Sequence, residues 1–371
     1  MKNEGVKKGM SRPVIALDVR MARASGIGTY LQGLLPALHE LRTDREEIAL
    51  IQSTKEMNPC SARSATVTAG IYTLGEQVAI PNACRKLSAR LLHSPHYNLP
   101  IVMASRCIVT VHDLIHLKFP QFLPSSLARA YARFFFKTII PRTRAILTVS
   151  EHTKMDLMEM LDIPASHITV AYPGVPAQFH PQSTDSVDKT LKDFGLKRGY
   201  FLFVGNLKEF KNVQFLVKAY QALREKLSDC PSLVLVGRNF IPGFDKQLES
   251  MPSVRWLKEI EPNVLPSLYA GALGLVFPSL YEGFGFPPLE AMACGTPVIC
   301  STSASLPEVV GDAALLIDPR SLDSLLDAMI TLQQDSALRD DLRSRGLKRA
   351  EQFSWKTLAE KTLSVYRQCL N

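Results

Sequence analysis

Two doubly wound α/β domains, each a parallel sheet layered with helices, are the fold that this chain of 371 residues predicts. Three observations lead there. Short β-branched and aliphatic runs alternate with helix-period segments through both halves, as in strand–helix–strand winding. A chain of this length with 46% hydrophobic residues can build two domains of ordinary size, each with its own core. The polar stretch "HPQSTDSVDK", His180 to Lys189, has little to bury and precedes a new strand, which places the inter-domain linker there.

In chain order, the first half offers strands at "VIALDV", "IALIQS", "CIVTVHD" and "AILTVS". The second offers "FLFVGN", "SLVLVG", "VRWLKE", "LGLVFPS", "PVICST" and "AALLID". Helical patterns fill the gaps. From Asp335 to Asn371 the pattern is helical throughout, interrupted only at "FSW", and lies beyond the second sheet. The expected division is residues 1–185 and 186–352 as domains, with residues 353–371 as a helix returning to the first. Ligands of such sheets sit at the carboxyl ends of strands, so the loops there hold the candidate chemistry.

Seven cysteines, at 60, 84, 107, 230, 294, 300 and 369, are scattered with no C-x-x-C pair, which fits a reducing compartment and no zinc or redox centre. The beginning, "MKNEGVKKGMSRPVIALDVR", has only a short apolar run, and nowhere do eighteen uncharged apolar residues follow one another. Neither a signal peptide nor a membrane span is expected, and the expected location is cytoplasmic. The net charge of +8 is uneven: residues 1–195 hold 23 Lys and Arg against 16 Asp and Glu, the remainder 20 against 19. A basic half could meet nucleic acid, an anionic membrane or an anionic small molecule. No nucleic-acid partner is expected, because the basic residues form no long run and no stacking motif accompanies them.

The most informative stretch is "SLYEGFGFPPLEAMACGTPVI". A buried strand ends at "LGLVFPS", Gly283 and Gly285 permit close backbone approach, and a helix follows with Pro287 or Pro288 in its first turn and Gly295 past its end. Its N-terminus presents free N–H groups and partial positive charge, which suits a diphosphate. Carboxylates repel a diphosphate. Glu282 and Glu290 therefore fit a ligand with hydroxyls on both sides of its phosphates, as a nucleotide sugar has.

This stretch resembles the E-x7-E motif of the retaining glycosyltransferases of family 4, whose fold is GT-B: two Rossmann-like domains facing a central cleft. "FLFVGNLKEFKNVQFLVKAY", "LVLVGR", "LPSLYAGALGLVFPSLYEGFG" and "SLPEVVGDAALLIDP" are similar to the family in the same order, as are "HSPHYNLP", "VTVHDLIH", "LTVSEHTKMDL" and "VAYPGV" earlier. The resemblance covers nearly the whole chain, more specifically in the second half.

The resemblance implies roles residue by residue. Glu282 would contact the donor sugar's hydroxyls and Glu290 the ribose, with backbone amides of Gly283, Phe284 and Gly285 lining sugar and phosphates. Lys211 would pair with the leaving phosphate, helped by Lys208, while Asn206 stands where the family commonly has arginine. His112, directly after a buried strand, matches the active-site histidine, and Asp113 is expected to orient its ring. Gly26 and Gly28 are similar to the family's flexible glycine loop near the donor phosphates. As a dinucleotide fingerprint they fail, because the third glycine position is Leu31.

H-D-x-x-H at His112 and His116 raises a zinc site, but zincins need H-E-x-x-H within a helix plus a third ligand, and Pro120 argues against that helix. No metal and no tightly bound cofactor is expected. The donor is expected to be GDP-mannose, since "DVRMARASGIGTY" is similar to bacterial mannosyltransferases; UDP-glucose or UDP-N-acetylhexosamine is the alternative, and the nucleobase would be read near "WLKEI". The acceptor would be a glycan or lipid-linked glycan in polysaccharide or glycolipid synthesis.

Residues 127–144 also bear on partners. Arg129, Arg133 and Lys137 stand four apart, with Tyr131, Phe134, Phe135 and Ile139 largely on another face. This reads either as a helix packed on the first sheet or as a basic amphipathic contact with an anionic membrane, at its inner face. Two other classes remain open on sequence: an NAD-linked oxidoreductase, which lacks G-x-G-x-x-G, and a glycan- or nucleotide-binding protein without catalysis.

Overall fold

The computed structural model describes residues 12–43, 45–53 and 62–371; the basic beginning, residues 1–11, and Cys60 lie outside the described residues. Seven strands form the first sheet: β1 Val14–Asp18, β2 Glu47–Gln52, β3 Ser64–Thr66, β4 Ala89–Ser94, β5 Cys107–Val111, β6 Ala145–Thr148 and β7 Ile168–Val170. Six form the second: β8 Tyr200–Val204, β9 Leu233–Val236, β10 Val254–Leu257, β11 Ala272–Phe277, β12 Val298–Ser301 and β13 Leu315–Ile317. The spatial orders are β3-β2-β1-β4-β5-β6-β7 and β10-β9-β8-β11-β12-β13, and every pairing is parallel.

Every residue of β1, β5 and β8 is buried, as expected of parallel strands covered by helices on both faces. Strand order reverses between β1 and β4 in one sheet and between β8 and β11 in the other. Those two switch points open the crevices where such sheets bind ligands. The six strands read from the second half are all present. In the first half β3, β4 and β7 had no counterpart among the expected strands.

Two expectations need correction. The stretch 180–189 does have apolar residues to bury: Ser183 caps a helix, Thr184–Asp193, that buries Val187 and Leu191. Two apolar residues four apart are enough to seat one face. In residues 127–144, helix Ser126–Phe134 runs into a π turn, Phe135–Ile139, and the buried face is Ala132, Phe135, Phe136 and Ile139. Phe134 falls off that face and stays 46% exposed beside Arg133.

The C-terminal helix, Trp355–Leu370, returns to the first domain and lies along helix Ser25–Leu41. Trp355 fits because Gly33 has no side chain: a Cβ there would stand 2.2 Å from the indole. Tyr366 bonds Nδ1 of the buried His93 at 2.6 Å, Thr110 bonds its Nε2 at 2.8 Å, and Arg367 pairs with Glu46 at 2.7 Å. Among the described residues no helix is long and apolar enough to cross a membrane.

Candidate active site

The carboxyl ends of β8 and β11 flank the second switch point. After β8 the chain turns through Gly205 and Asn206 to a 3-10 turn, Glu209–Lys211, ahead of helix Val213–Lys226. After β11 comes the loop with Glu282. The two loops are joined along their length: Leu280 N–H donates to the Phe210 carbonyl at 2.8 Å, and Lys211 Nζ lies 2.6 Å from Glu282 Oε1. Ser279 Oγ donates to the same carboxylate oxygen at 2.6 Å. Both charged side chains are mostly covered, 16% and 12% exposed, so the pair is only weakly screened.

Helix Phe286–Ala293 starts from Gly285, whose φ of 109° strongly favours glycine, with proline in its first turn. Glu290 is buried on that helix and accepts the Tyr269 hydroxyl at 2.9 Å. Burial pushes its carboxyl up to about 7, although the Tyr269 bond opposes this. Lys208 stands over the rings of Phe210 and Phe240, at 5.7 and 5.3 Å, and burial and then neighbouring Lys211 lower its pKa.

Across the cleft, His112 follows β5. Its Nε2 lies 2.9 Å from the Pro95 carbonyl, which can only accept, so Nε2 carries the proton and Nδ1 keeps a lone pair. Tyr30 stands edge-on to the ring at 4.9 Å. Burial lowers the His112 pKa to about 4, so at neutral pH the imidazole is uncharged and can accept a hydrogen bond from a hydroxyl. Asp113 does not hold this ring, contrary to expectation. Its carboxylate accepts the Ile115 N–H at 3.0 Å, closing a local turn, and the backbone of Pro95 orients His112 instead. Burial raises Asp113 to about 6, and the nearby Glu282 charge adds to the shift.

The two sides meet closely. A Cβ on Gly283 would lie 2.1 Å from the His112 carbonyl oxygen and 2.9 Å from Asp113 Cβ, so only glycine lets these backbones touch. Tyr281, buried between them, accepts the Leu114 N–H at 3.2 Å and donates to Asp156 at 2.7 Å, with Lys118 also on Asp156. Glu308 reaches across to the start of helix Glu151–Leu161, accepting N–H groups of Glu151 and His152 at 2.6 and 3.1 Å and the Tyr172 hydroxyl at 2.5 Å. A carboxylate satisfies a helix N-terminus well. Ser305, three residues before Glu308, donates to the carbonyls of Glu282 and Phe284.

The fold thus gathers Glu282, Lys211, Lys208, Gly283, Phe284, Gly285 and His112 at one cleft, with Glu290 on the adjoining helix and Asn206 in the β8 turn. Gly26 and Gly28 do not form a flexible loop: both lie in the first turn of helix Ser25–Leu41, and residues 19–24 make the loop. Gly28 N–H already donates to the Ala24 carbonyl at 2.5 Å, as a helix requires. His112 and His116 part company, His116 Nδ1 going to the Tyr97 hydroxyl at 3.0 Å. Sequence reasoning missed Tyr281, Asp156 and Glu308. The signal for Glu308 was present in "SLPEVVGD", but its partner stands 157 residues earlier.

Two parallel-sheet domains meeting at their strand ends give the GT-B fold, and its cleft sets a carboxylate–lysine pair opposite a neutral histidine. A family model described as "Glycosyl transferases group 1" matches residues 188–349, and one described as "Glycosyltransferase Family 4" matches residues 25–179. O-antigen chain mannosyltransferase B of Escherichia coli is 33% identical over 291 residues, 77% of this chain and 76% of that protein. O-antigen chain mannosyltransferase RfbU of Salmonella typhimurium is 31% identical over 250 residues, covering 66% and 65%. The solved structure of sucrose-phosphate synthase from Thermosynechococcus elongatus shares the fold with a TM-score of 0.77, over 97% of this chain and 99% of that one, at 21% identity. The chain belongs to glycosyltransferase family 4 and is a glycosyltransferase.

Proposed function

We propose that the enzyme transfers an α-mannosyl group from GDP-mannose, with retention, to a glycan or lipid-linked acceptor in polysaccharide or glycolipid synthesis. The observation that carries this reading is the Lys211–Glu282 pair opposite His112. Diphosphate arriving at the helix N-terminus draws Lys211 to itself, and Glu282 turns to the sugar hydroxyls. Glu290 takes the ribose hydroxyls, and Lys208 and the Asn206 turn flank the phosphates. The bond from the anomeric carbon to phosphate oxygen breaks, and the acceptor oxygen bonds to that carbon on the same face. The acceptor's proton passes to the departing phosphate oxygen. Lys211 and the helix dipole stabilise that leaving group, and no metal is required. His112, neutral, accepts a hydrogen bond from a donor-sugar hydroxyl and fixes the ring in place.

The mannosyl donor is supported by the two mannosyltransferase relatives and by an open groove of about 930 Å³ beyond Lys208, at the ends of β9 and β10. Arg238, Phe240, Asp245, Trp256 and Glu259 line it. A guanidinium suits the O6 and N7 acceptors of guanine, and a carboxylate suits its N1 and N2 donors. Residues 127–144 form a peripheral contact with an anionic membrane: Leu127 and Phe134 are 78% and 46% exposed beside exposed Arg129, Arg133 and Lys137.

Thermal melting with GDP-mannose, UDP-glucose, UDP-N-acetylglucosamine, GDP, UDP and NADH, each with and without EDTA, tests this reading. GDP and GDP-mannose should raise Tm, undiminished by EDTA. Stabilisation by uridine nucleotides alone would overturn the donor, and silence from every sugar nucleotide would overturn the donor site.

A further inference from the structure

On the acceptor side stands a residue in an unfavourable conformation. Tyr72 has φ of 63°, in the left-handed region that bulky residues avoid. The residue is 46% exposed, so full burial does not repay the strain. Strain of this kind persists only where the surroundings impose it, and the surroundings do so here. Arg20, buried at the end of β1, pairs with Asp18 and Glu76 at 2.8 and 3.1 Å and donates to the Ala69 carbonyl at 3.1 Å. Asn98 bonds the other oxygen of Glu76 at 2.7 Å and accepts from the Tyr131 hydroxyl. The loop 69–76 is therefore clamped at both ends by a buried polar network.

The Tyr72 ring rests edge-on against His96 at 5.7 Å and Tyr131 at 6.0 Å, and its hydroxyl lies 3.2 Å from His96 Nδ1. His96 is the residue after Pro95, whose carbonyl holds His112. The charge of Asp113 is also felt at Tyr72 and Tyr97. A held aromatic surface thus rests on His96, the residue directly after the support of His112.

We propose that Tyr72, braced by His96 and Tyr131, is the platform for the acceptor's terminal pyranose. The apolar C–H face of the sugar stacks on the phenol ring, and its hydroxyls turn toward Asp113. The inference rests on the glycosyltransferase reading and deepens it by naming the acceptor subsite. The bound group is an uncharged hexopyranose, whether at the end of a free glycan or of a lipid-linked one.

Saturation-transfer NMR with methyl pyranosides of mannose, glucose, galactose and N-acetylglucosamine tests it, run with and without GDP on wild type, Tyr72→Ala, Tyr72→Gly and Tyr72→Trp. At least one pyranoside should bind the wild type, about tenfold weaker in the alanine and glycine variants, and near wild-type strength in Tyr72→Trp. Tyr72→Gly should melt no lower than Tyr72→Ala, because both lose the ring and only glycine relieves the strained φ. Equal binding by wild type and Tyr72→Ala, or no pyranoside bound by the wild type, overturns the platform. GDP binding is read separately in the same samples, so its failure counts against the donor reading alone.

Discussion

Replacing Glu282 by glutamine should make the enzyme bind GDP more tightly while transferring sugar poorly. Lys211 Nζ is held 2.6 Å from Glu282 Oε1, and both side chains are at least four-fifths covered. At an effective dielectric of 20 the gross attraction across that distance is ~6 kcal/mol, most of it offset by lost hydration. A diphosphate must share Lys211 with this carboxylate and bear its repulsion. Glutamine removes the competitor and keeps the shape, so GDP affinity should rise by ~1–2 kcal/mol, roughly 5- to 30-fold. Lys211→Met should act oppositely, losing ~1.5–3 kcal/mol of charge-assisted bonding. Isothermal titration of GDP into the wild type, each single variant and the double variant measures all four corners. With Lys211 gone, Glu282→Gln should gain much less, since only repulsion remains to be relieved. Weaker GDP binding by Glu282→Gln, or strictly additive effects, would refute the competition between carboxylate and phosphate for the lysine.

Two further outcomes are expected. Gly283→Ala puts a Cβ 2.1 Å from the His112 carbonyl oxygen, so the domains must part there; transfer should fall at least about a hundredfold, as for a misplacement near 1 Å, while GDP binding to the second domain stays within a few-fold. Glu290, raised from 4.5 to about 7, favours the folded state while protonated, so its contribution is full below about 4.5 and is lost as pH rises through 7. The donor-free wild type should therefore lose up to ~3 kcal/mol relative to Glu290→Gln between pH 4.5 and 8. The difference between the two proteins' denaturation curves carries this test, because burial lowers His93, His96 and His112 and gives the opposite slope in acid. Parallel curves would show that Glu290 ionises freely in the fold.

Much of the molecule was legible from local pattern. The six strands of the second sheet read as apolar runs because most of their residues are covered, all of them in β8 and β9, and the helix after Gly285 announced itself through proline and glycine at its two ends. Glu282 and His112 could be singled out because each follows a strand end, where such sheets bind ligands, and Lys211, farther along after β8, through the motif resemblance. The strands that escaped notice are short edges, "SAT" and "ITV", or carry a polar residue satisfied from afar, as His93 in β4 is satisfied by Tyr366. Phe134 was misread because the burial of one residue in a helix depends on what the neighbouring face meets.

By itself, then, the sequence determined the winding of two sheets and the loops at their strand ends, because hydrophobic period and turn chemistry are local properties, and its ordered motifs carried the resemblance to the family. Only the tertiary structure decided which charges neutralise one another across the cleft. Lys211 meets Glu282, Tyr281 meets Asp156, and Glu308 caps a helix of the other domain. These partners lie 71, 125 and 157 residues apart along the chain. Electrostatic and hydrogen-bond energies fall off over a few ångströms, so such pairs exist only once packing has fixed the distances, and no spacing in the sequence encodes them.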